Sequence, residues 1–403
     1  MTNKFDISES ISRSLTAVED ISASYFDQLA TALAGRAETL RDGTELDPVS
    51  LPRDLYAHQN VQTEWWYYTG HLQTDSGREL GFELVFFKRR TDLDRFSVVP
   101  LRLLGNPIYF AHFALTDLTE GKFRYSHRKS GNGLFDKPAA ASESHYYLRL
   151  GDWSVRESHG QHVLRATMNG GVSFEASLDP VKQPILNGRE RDGVSFKDKG
   201  EASRYFSYTR MAMEGDISLD GGIEHFRGSA WMDREFGTWT ATDKQSGWDW
   251  FSIQMEDQTE LMAYQLRDRS DNVSEYSTGV YIPEHGEHVV LEERDFRIKP
   301  LGFWKSARSG ATYPSGWEVT VPSLDISYIV SPVLEDQELD TRGTTMIVYW
   351  EGACRVSGKR NGSSILGNAY VELVGYDRSH EAPNLAHFLM GNEFEHPVGT
   401  FFG

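Results

Sequence analysis

One cysteine, Cys354, is the only thiol in the 403 residues. An intramolecular disulfide framework and any multi-cysteine zinc site are excluded. Basic residues are also in deficit. The 41 Lys and Arg face 59 Asp and Glu, which leaves a formal net charge of −18 at pH 7. Such a surface disfavours general binding to nucleic acid or to anionic membranes. No uninterrupted apolar run is long enough to predict a membrane-spanning helix. Met1 to Leu15 is polar and lacks the apolar core of a secretory signal, so a cytoplasmic protein is expected. Motifs with a mechanism are missing too. There is no HExxH, no GxGxxG between a strand and a helix, no P-loop and no G-x-S-x-G. No metal and no cofactor is therefore expected.

What the chain has in excess is aromatic residues, at 12 %. They fill cores, and they also line apolar ligand pockets. Val18, Ile21, Tyr25, Leu29 and Leu33 recur at helical spacing and predict one amphipathic helix over roughly Thr16 to Arg41. From Tyr56 onward that period is gone. Short runs rich in Trp, Tyr, Phe, Val and Ile alternate with polar residues and end at turns such as Asp75-Ser76-Gly77 and Asn361-Gly362. The pattern predicts an all-β fold of antiparallel strands. It also repeats. Glu64-Trp65-Trp66 and the strand after it parallel Asp249-Trp250-Phe251 and the strand after it. Gly228-Ser229-Ala230-Trp231-Met232-Asp233 parallels Gly367-Asn368-Ala369-Tyr370-Val371-Glu372. Two copies of one β barrel, joined between Gly237 and Gly247, account for this most simply.

These residues carry a family resemblance. His58-Gln59-Asn60, Thr63 to Leu72, Gly81 to Phe87, Tyr205 to Arg210, Gly228 to Gly237, Trp248 to Phe251 and Tyr349 to Gly352 resemble the signatures of the AttH/CrtC-like family. The resemblance covers about residues 56–376. It implies two lipocalin-like antiparallel β barrels in tandem. On that basis 46–240 is read as the first barrel and 241–376 as the second; outside the resemblance, residues 1–45 are read as a helical segment from their spacing and 377–403 as an apolar tail, a candidate cap over the body. It also implies chemistry on apolar chains. Members include carotenoid 1,2-hydratases and kievitone-hydratase-like proteins, which add water across an isoprenoid double bond, and remoter relatives that cyclise polyenes by an intramolecular Diels–Alder reaction. Fold transfers within such a family more safely than function does.

The candidate acids come from strand alternation. In Trp231-Met232-Asp233-Arg234-Glu235 the side chains of Trp231, Asp233 and Glu235 share one face. A buried carboxyl pair has a raised pKa, so Asp233 can hold a proton for delivery to an alkene carbon, with Glu235 as its partner. Trp and Tyr faces would stabilise the carbocation by roughly 2 kcal/mol each when desolvated. The substrate-binding candidates are Trp65, Trp66, Tyr68, His112, Trp231, Trp248, Trp250, Tyr264 and Tyr370. Alternation separates Trp66 and Tyr68 from Trp65, and the sequence leaves open which face meets the substrate. His112, flanked by apolar residues, also fits a satisfied core histidine. Three functions follow: an enzyme that protonates an isoprenoid or polyene and then hydrates or cyclises it, a cofactor-free pericyclase, or a carrier of an apolar ligand.

Overall fold

The computed structural model describes residues 40–377, apart from 93–94, 97–98, 101–104, 132–136, 240–244 and 269, together with 393–395. The expected N-terminal helix lies outside the described residues, except that residues 40 and 41 at its end are not helical. Among the described residues there is no α-helix. The regular structure is antiparallel β sheet, joined by loops and short 3-10 turns.

Ten strands position the site: β1 (Thr63–Thr74), β2 (Glu79–Arg89), β3 (Ile108–Asp117), β4 (Lys122–Ser130), β5 (Glu201–Leu219), β6 (Gly222–Gly237), β7 (Gln245–Met255), β8 (Glu260–Asp268), β9 (Val348–Arg360) and β10 (Ser363–Val374). The first sheet runs β4-β3-β2-β1-β6-β5 and continues through five further strands, from Val172–Pro180 to Ala139–Ala141. The next-to-last of these, Tyr147–Leu150, returns beside β3 and β4, so the sheet curls into a nearly closed barrel. The second sheet contains β8-β7-β10-β9, continues to Ile326–Pro332 and Trp317–Val321, and forms a half-barrel. The order β2-β1-β6-β5 in the first sheet is thus echoed by β8-β7-β10-β9 in the second. In each, an opening hairpin lies against a closing one, as the sequence repeat suggests. The backbone of Glu393–Glu395 pairs with β4, at the edge of the first sheet.

Period-two alternation sends each strand's side chains to two different places. On β6, Ala230, Met232 and Phe236 enter the first barrel's core, with Trp66, Tyr68, Phe82 and Phe174. The intervening Trp231 faces the other way. It joins Tyr67, Val85, Tyr205, Trp250, Met262, Tyr264 and Tyr370 in an apolar layer between the two sheets. The second barrel has its own core around Phe251, Trp317, Tyr328, Trp350 and Val371. Polar contacts stitch the layer together: His71 Nε2 lies 3.0 Å from the Ala369 carbonyl, Gln254 Nε2 donates to the Thr209 carbonyl at 2.8 Å, and Arg210 Nε pairs with Glu260 at 2.5 Å.

Gly81 sets how closely the sheets approach. A Cβ built there would lie 2.6 Å from the Ala353 Cβ of β9. Gly81→Ala is expected to cost about 1–3 kcal/mol by overpacking. Adding Ala353→Gly should restore most of the loss, because the two substitutions act on one contact. Thermal unfolding of the two single variants and the double variant measures this coupling.

Candidate active site between the barrels

The facing outer surfaces of the two sheets do not meet everywhere. At one end they leave a cavity of about 280 Å³. The first barrel contributes Trp65, Tyr67, Val85 and Phe87 from β1 and β2, Tyr205 from β5, and Asp233 and Glu235 from β6. The second contributes Trp248 and Trp250 from β7, Tyr264 and Leu266 from β8, and Glu372 from β10. Lys197 and Trp239 complete the wall, and Thr63 and Arg89 also line it. The rings meet edge to face: Tyr67 lies 5.2 Å from Trp250 and Trp65 lies 5.5 Å from Trp239. Aromatic side chains thus wall much of the cavity, beside three carboxyls and Lys197.

Asp233 is 3 % exposed. Its carboxyl accepts from Ser207 Oγ at 2.5 Å, from the Tyr205 hydroxyl at 2.6 Å and from Trp231 Nε1 at 2.7 Å. The Tyr205 oxygen in turn accepts from Trp250 Nε1 at 3.1 Å. Burial is the largest influence on Asp233 and raises its pKa. The three hydrogen bonds oppose it, and the nearby Glu235 charge adds to it. The outcome is a pKa of about 7. Among the described residues no cation forms an ion pair with Asp233.

Glu235 differs, although it is only two residues away. Its carboxylate accepts from Ser203 Oγ and pairs with Lys197 Nζ. Burial works most strongly against the Lys197 charge, but Glu235, Tyr264 and Asp233 together outweigh it and hold the lysine pKa above its usual value. The ammonium lies within 5.4–6.0 Å of the Tyr264, Tyr205 and Trp239 ring centres. Two carboxyls on one strand thus have separate environments. One is in an ion pair; the other is poised between charged and neutral.

The second barrel adds a third acid. Glu372 accepts from Trp248 Nε1 at 2.9 Å. Burial is again the largest influence. The negative charges of Asp233 and Glu235 also raise its pKa, which stands at about 7. The cavity therefore holds two poised carboxyls, one from each barrel, at the matched acid position of the sequence repeat. No cluster among the described residues has the donor set of a metal site.

Of the sequence candidates, Asp233, Glu235, Trp65, Trp248, Trp250 and Tyr264 line the cavity together. Trp231 stands behind Asp233 as a hydrogen-bond donor. Trp66 and Tyr68 do not reach it. They are on the opposite face of β1, inside the first barrel. His112 is buried off the cavity, with Nδ1 2.7 Å from the Tyr349 hydroxyl, and Tyr370 is buried in the layer between the sheets. The sequence does not single out Glu372, Lys197, Tyr205, Tyr67 and Trp239 as site residues. Glu372 is legible in principle, because the repeat aligns it with Asp233. Nothing in the local sequence marks Lys197.

Fold and site together define a two-barrel, lipocalin-like protein with an acidic, aromatic cavity between its barrels. The chain belongs to the AttH-like family, whose model matches residues 42–376. It is similar to the crystal structure of an AttH-type protein from Nitrosomonas europaea, with 30 % identity and a TM-score of 0.73 over 84 % of this chain and 100 % of the other. Kievitone hydratase from Nectria haematococca shares the fold at 16 % identity and a TM-score of 0.62, over 84 % of this chain and 96 % of the other. So does CghA with Sch210972, at 13 % identity and a TM-score of 0.53, over 85 % and 97 %. No curated protein matches the chain in sequence. None of its described helical segments is long and apolar enough to cross a membrane.

Proposed function

We propose that this protein is a cofactor-independent, cytoplasmic enzyme that protonates a carbon–carbon double bond of an apolar isoprenoid or polyene and then cyclises or hydrates the cation. The observation that carries this reading is Asp233, a buried carboxyl on the cavity wall that forms no ion pair among the described residues and has a pKa of about 7. In its neutral form it is an acid held among apolar rings. Ser207, Tyr205 and Trp231 fix its orientation and stabilise the carboxylate left after proton transfer. Trp65, Trp248, Trp250 and Tyr67 offer ring faces to the cation. Glu372, in its charged form, accepts the proton that ends the reaction, either from carbon after ring closure or from a water adding to the cation. The small likeness to a hydratase fold is consistent with both outcomes and selects neither.

A second reading rests on Lys197. Its ammonium at the cavity wall can hydrogen-bond a carbonyl and activate an attached alkene as a dienophile, as a pericyclase requires. The variants separate the two. Proton-initiated chemistry needs Asp233, whereas a pericyclic reaction tolerates Asp233→Asn and is sensitive to Lys197→Met.

Two like charges in one cavity titrate as a pair. Below the shared range both are protonated and the base is missing. Above it both are ionised and the acid is missing. Turnover is therefore expected to follow a bell centred near pH 7. Glu372→Gln should abolish the acidic limb, keep the alkaline one, and lower kcat roughly 10²-fold. A pH–rate profile of both proteins measures this; an unchanged acidic limb in the variant would remove Glu372 from the mechanism.

A further inference from the structure

Beneath the cavity, deeper between the barrels, lies a set of polar groups that this mechanism does not use. Glu83 of β2 and Glu351 of β9 are both 0 % exposed. No cation forms an ion pair with either among the described residues. Neither oxygen of Glu83 has a hydrogen-bond partner, and Oε2 of Glu351 has none either. The Tyr349 hydroxyl favours the charged form of Glu83 without reaching hydrogen-bonding geometry. The Thr69 hydroxyl, directly across from Glu83 in the β1–β2 register, also lacks a partner and is 0 % exposed. The Tyr370 hydroxyl also lacks a partner in full hydrogen-bonding geometry, with Thr116 beside it; it is 2 % exposed and close enough for both acids to raise its pKa.

Buried polar atoms are seldom left without partners. Five such atoms on four residues in one layer point to a ligand that both donates and accepts. Glu83 and Glu351 both face the charge of Glu372, and Glu351 also that of Glu83. Burial comes first and the Glu372 charge second, and these push the two carboxyls well above their ordinary range. A neutral Glu351 carries its proton on Oε2, because Oε1 accepts from the Tyr67 hydroxyl at 2.6 Å. That proton, and the one on Glu83, need acceptors. The unmet Thr69 and Tyr370 hydroxyls need acceptors as well. Internal water, which typically makes about three hydrogen bonds, meets all of these requirements. A cation meets only those of ionised carboxylates.

We propose that Glu83, Glu351, Thr69 and Tyr370 enclose internal water and form a protonated reservoir that exchanges protons with the cavity through the Tyr67 hydroxyl. Tyr67 fits that role because it lines the cavity while its hydroxyl donates to Glu351. Glu351 is also the register partner of Glu372 on the adjacent strand. Cyclisation takes a proton from Asp233 and returns one to Glu372. Each turnover must then move one proton from Glu372 back to Asp233, and the reservoir supplies a path away from the substrate. Every O–H bond broken along it is matched by one formed. This link to turnover rests on the roles given to Asp233 and Glu372; the reservoir itself does not.

Infrared spectroscopy of the full-length protein at pH 9 tests it, since Asp233 and Glu372 titrate at about 7. Two protonated-carboxyl C=O bands are expected in the wild type, one lost in Glu83→Gln and the other in Glu351→Gln. After transfer to D2O, Tyr67→Phe should retain both bands and slow their deuteration at least tenfold. A wild-type spectrum with no protonated carboxyl would overturn the proposal in favour of charged carboxylates holding a cation. Unchanged deuteration in Tyr67→Phe would overturn the path. The wild type and Tyr67→Phe decide even where a Gln variant does not fold. If both bands persist while Asp233→Asn keeps full turnover, the reservoir stands and the catalytic reading falls.

Discussion

Asp233→Asn is expected to lower kcat by roughly 10²–10⁴-fold, the usual contribution of a general acid, with little change in KM. The same substitution should stabilise the fold in alkaline solution. The aspartate pKa rises from 3.8 in the unfolded chain to about 7 in the folded protein. Between those values the native state binds the extra proton, so stability is fully present below pH 3.8 and falls as pH rises toward 7. A shift of about three units corresponds to roughly 4 kcal/mol as an upper bound. The substituted side chain recovers only part of it, because an amide nitrogen cannot accept from Tyr205 or Ser207 as an oxygen does. Thermal unfolding at pH 4 and pH 8 measures the effect. The variant should gain on the wild type at pH 8 and not at pH 4. A variant that is active and differs from the wild type in stability by the same amount at the two pH values would mean that Asp233 is ordinarily ionised.

Arg234→Met has the opposite expected signature: a large loss of stability with the chemistry intact in whatever protein folds. Arg234 is 0 % exposed and inside the first barrel, on the other side of β6 from Asp233. Its guanidinium stacks 4.0 Å over Trp66, pairs with Glu64 at 2.5 Å, and donates to the Tyr56 and Asp54 carbonyls at 2.9 and 3.1 Å. Glu64 also accepts from Lys88 at 2.9 Å. Burial opposes the Glu64 charge, but Lys88, Arg234 and His58 together hold its pKa far below the ordinary range. Removing Arg234 leaves that carboxylate underpaired and the backbone carbonyls unmet, at a cost of about 3–5 kcal/mol. Denaturant unfolding checks it, and a Glu64→Gln/Arg234→Met double variant should lose less than the sum of the single losses.

These two residues show how far the sequence can be read. The alternation in Trp231-Met232-Asp233-Arg234-Glu235 correctly separates Asp233 and Glu235 from Arg234, because a strand's period is two. The same rule separates Trp65 from Trp66 and Tyr68. It cannot say which face is the inside of a barrel when both faces are buried, and here both are. The outward face of the first barrel is as aromatic as its interior, since it packs on a second barrel. In the sequence, Trp66 and Tyr68 therefore look as much like cavity residues as Trp65 does. The separate states of Asp233 and Glu235 are illegible for a different reason. They depend on Lys197, which reaches Glu235 from a short strand, Val194–Asp198, beside β5. No local pattern announces such a long-range pairing. Glu372 is the reverse case: the repeat aligns it with Asp233, and the echoed strand order brings both acids to one cavity.

The aromatic excess is now divided into three layers. Two fill the barrels, and the third lies between them around the poised carboxyls. The proposed proton transfer to carbon is tested most directly by deuterium incorporation. Wild-type protein is incubated in D2O with linear isoprenoids and polyenes small enough for the cavity, and the products are analysed by mass spectrometry and NMR. A product carrying one carbon-bound deuterium, absent with Asp233→Asn, is expected. A cyclised product formed at full rate with no deuterium on carbon would contradict proton-initiated chemistry and favour the pericyclic reading.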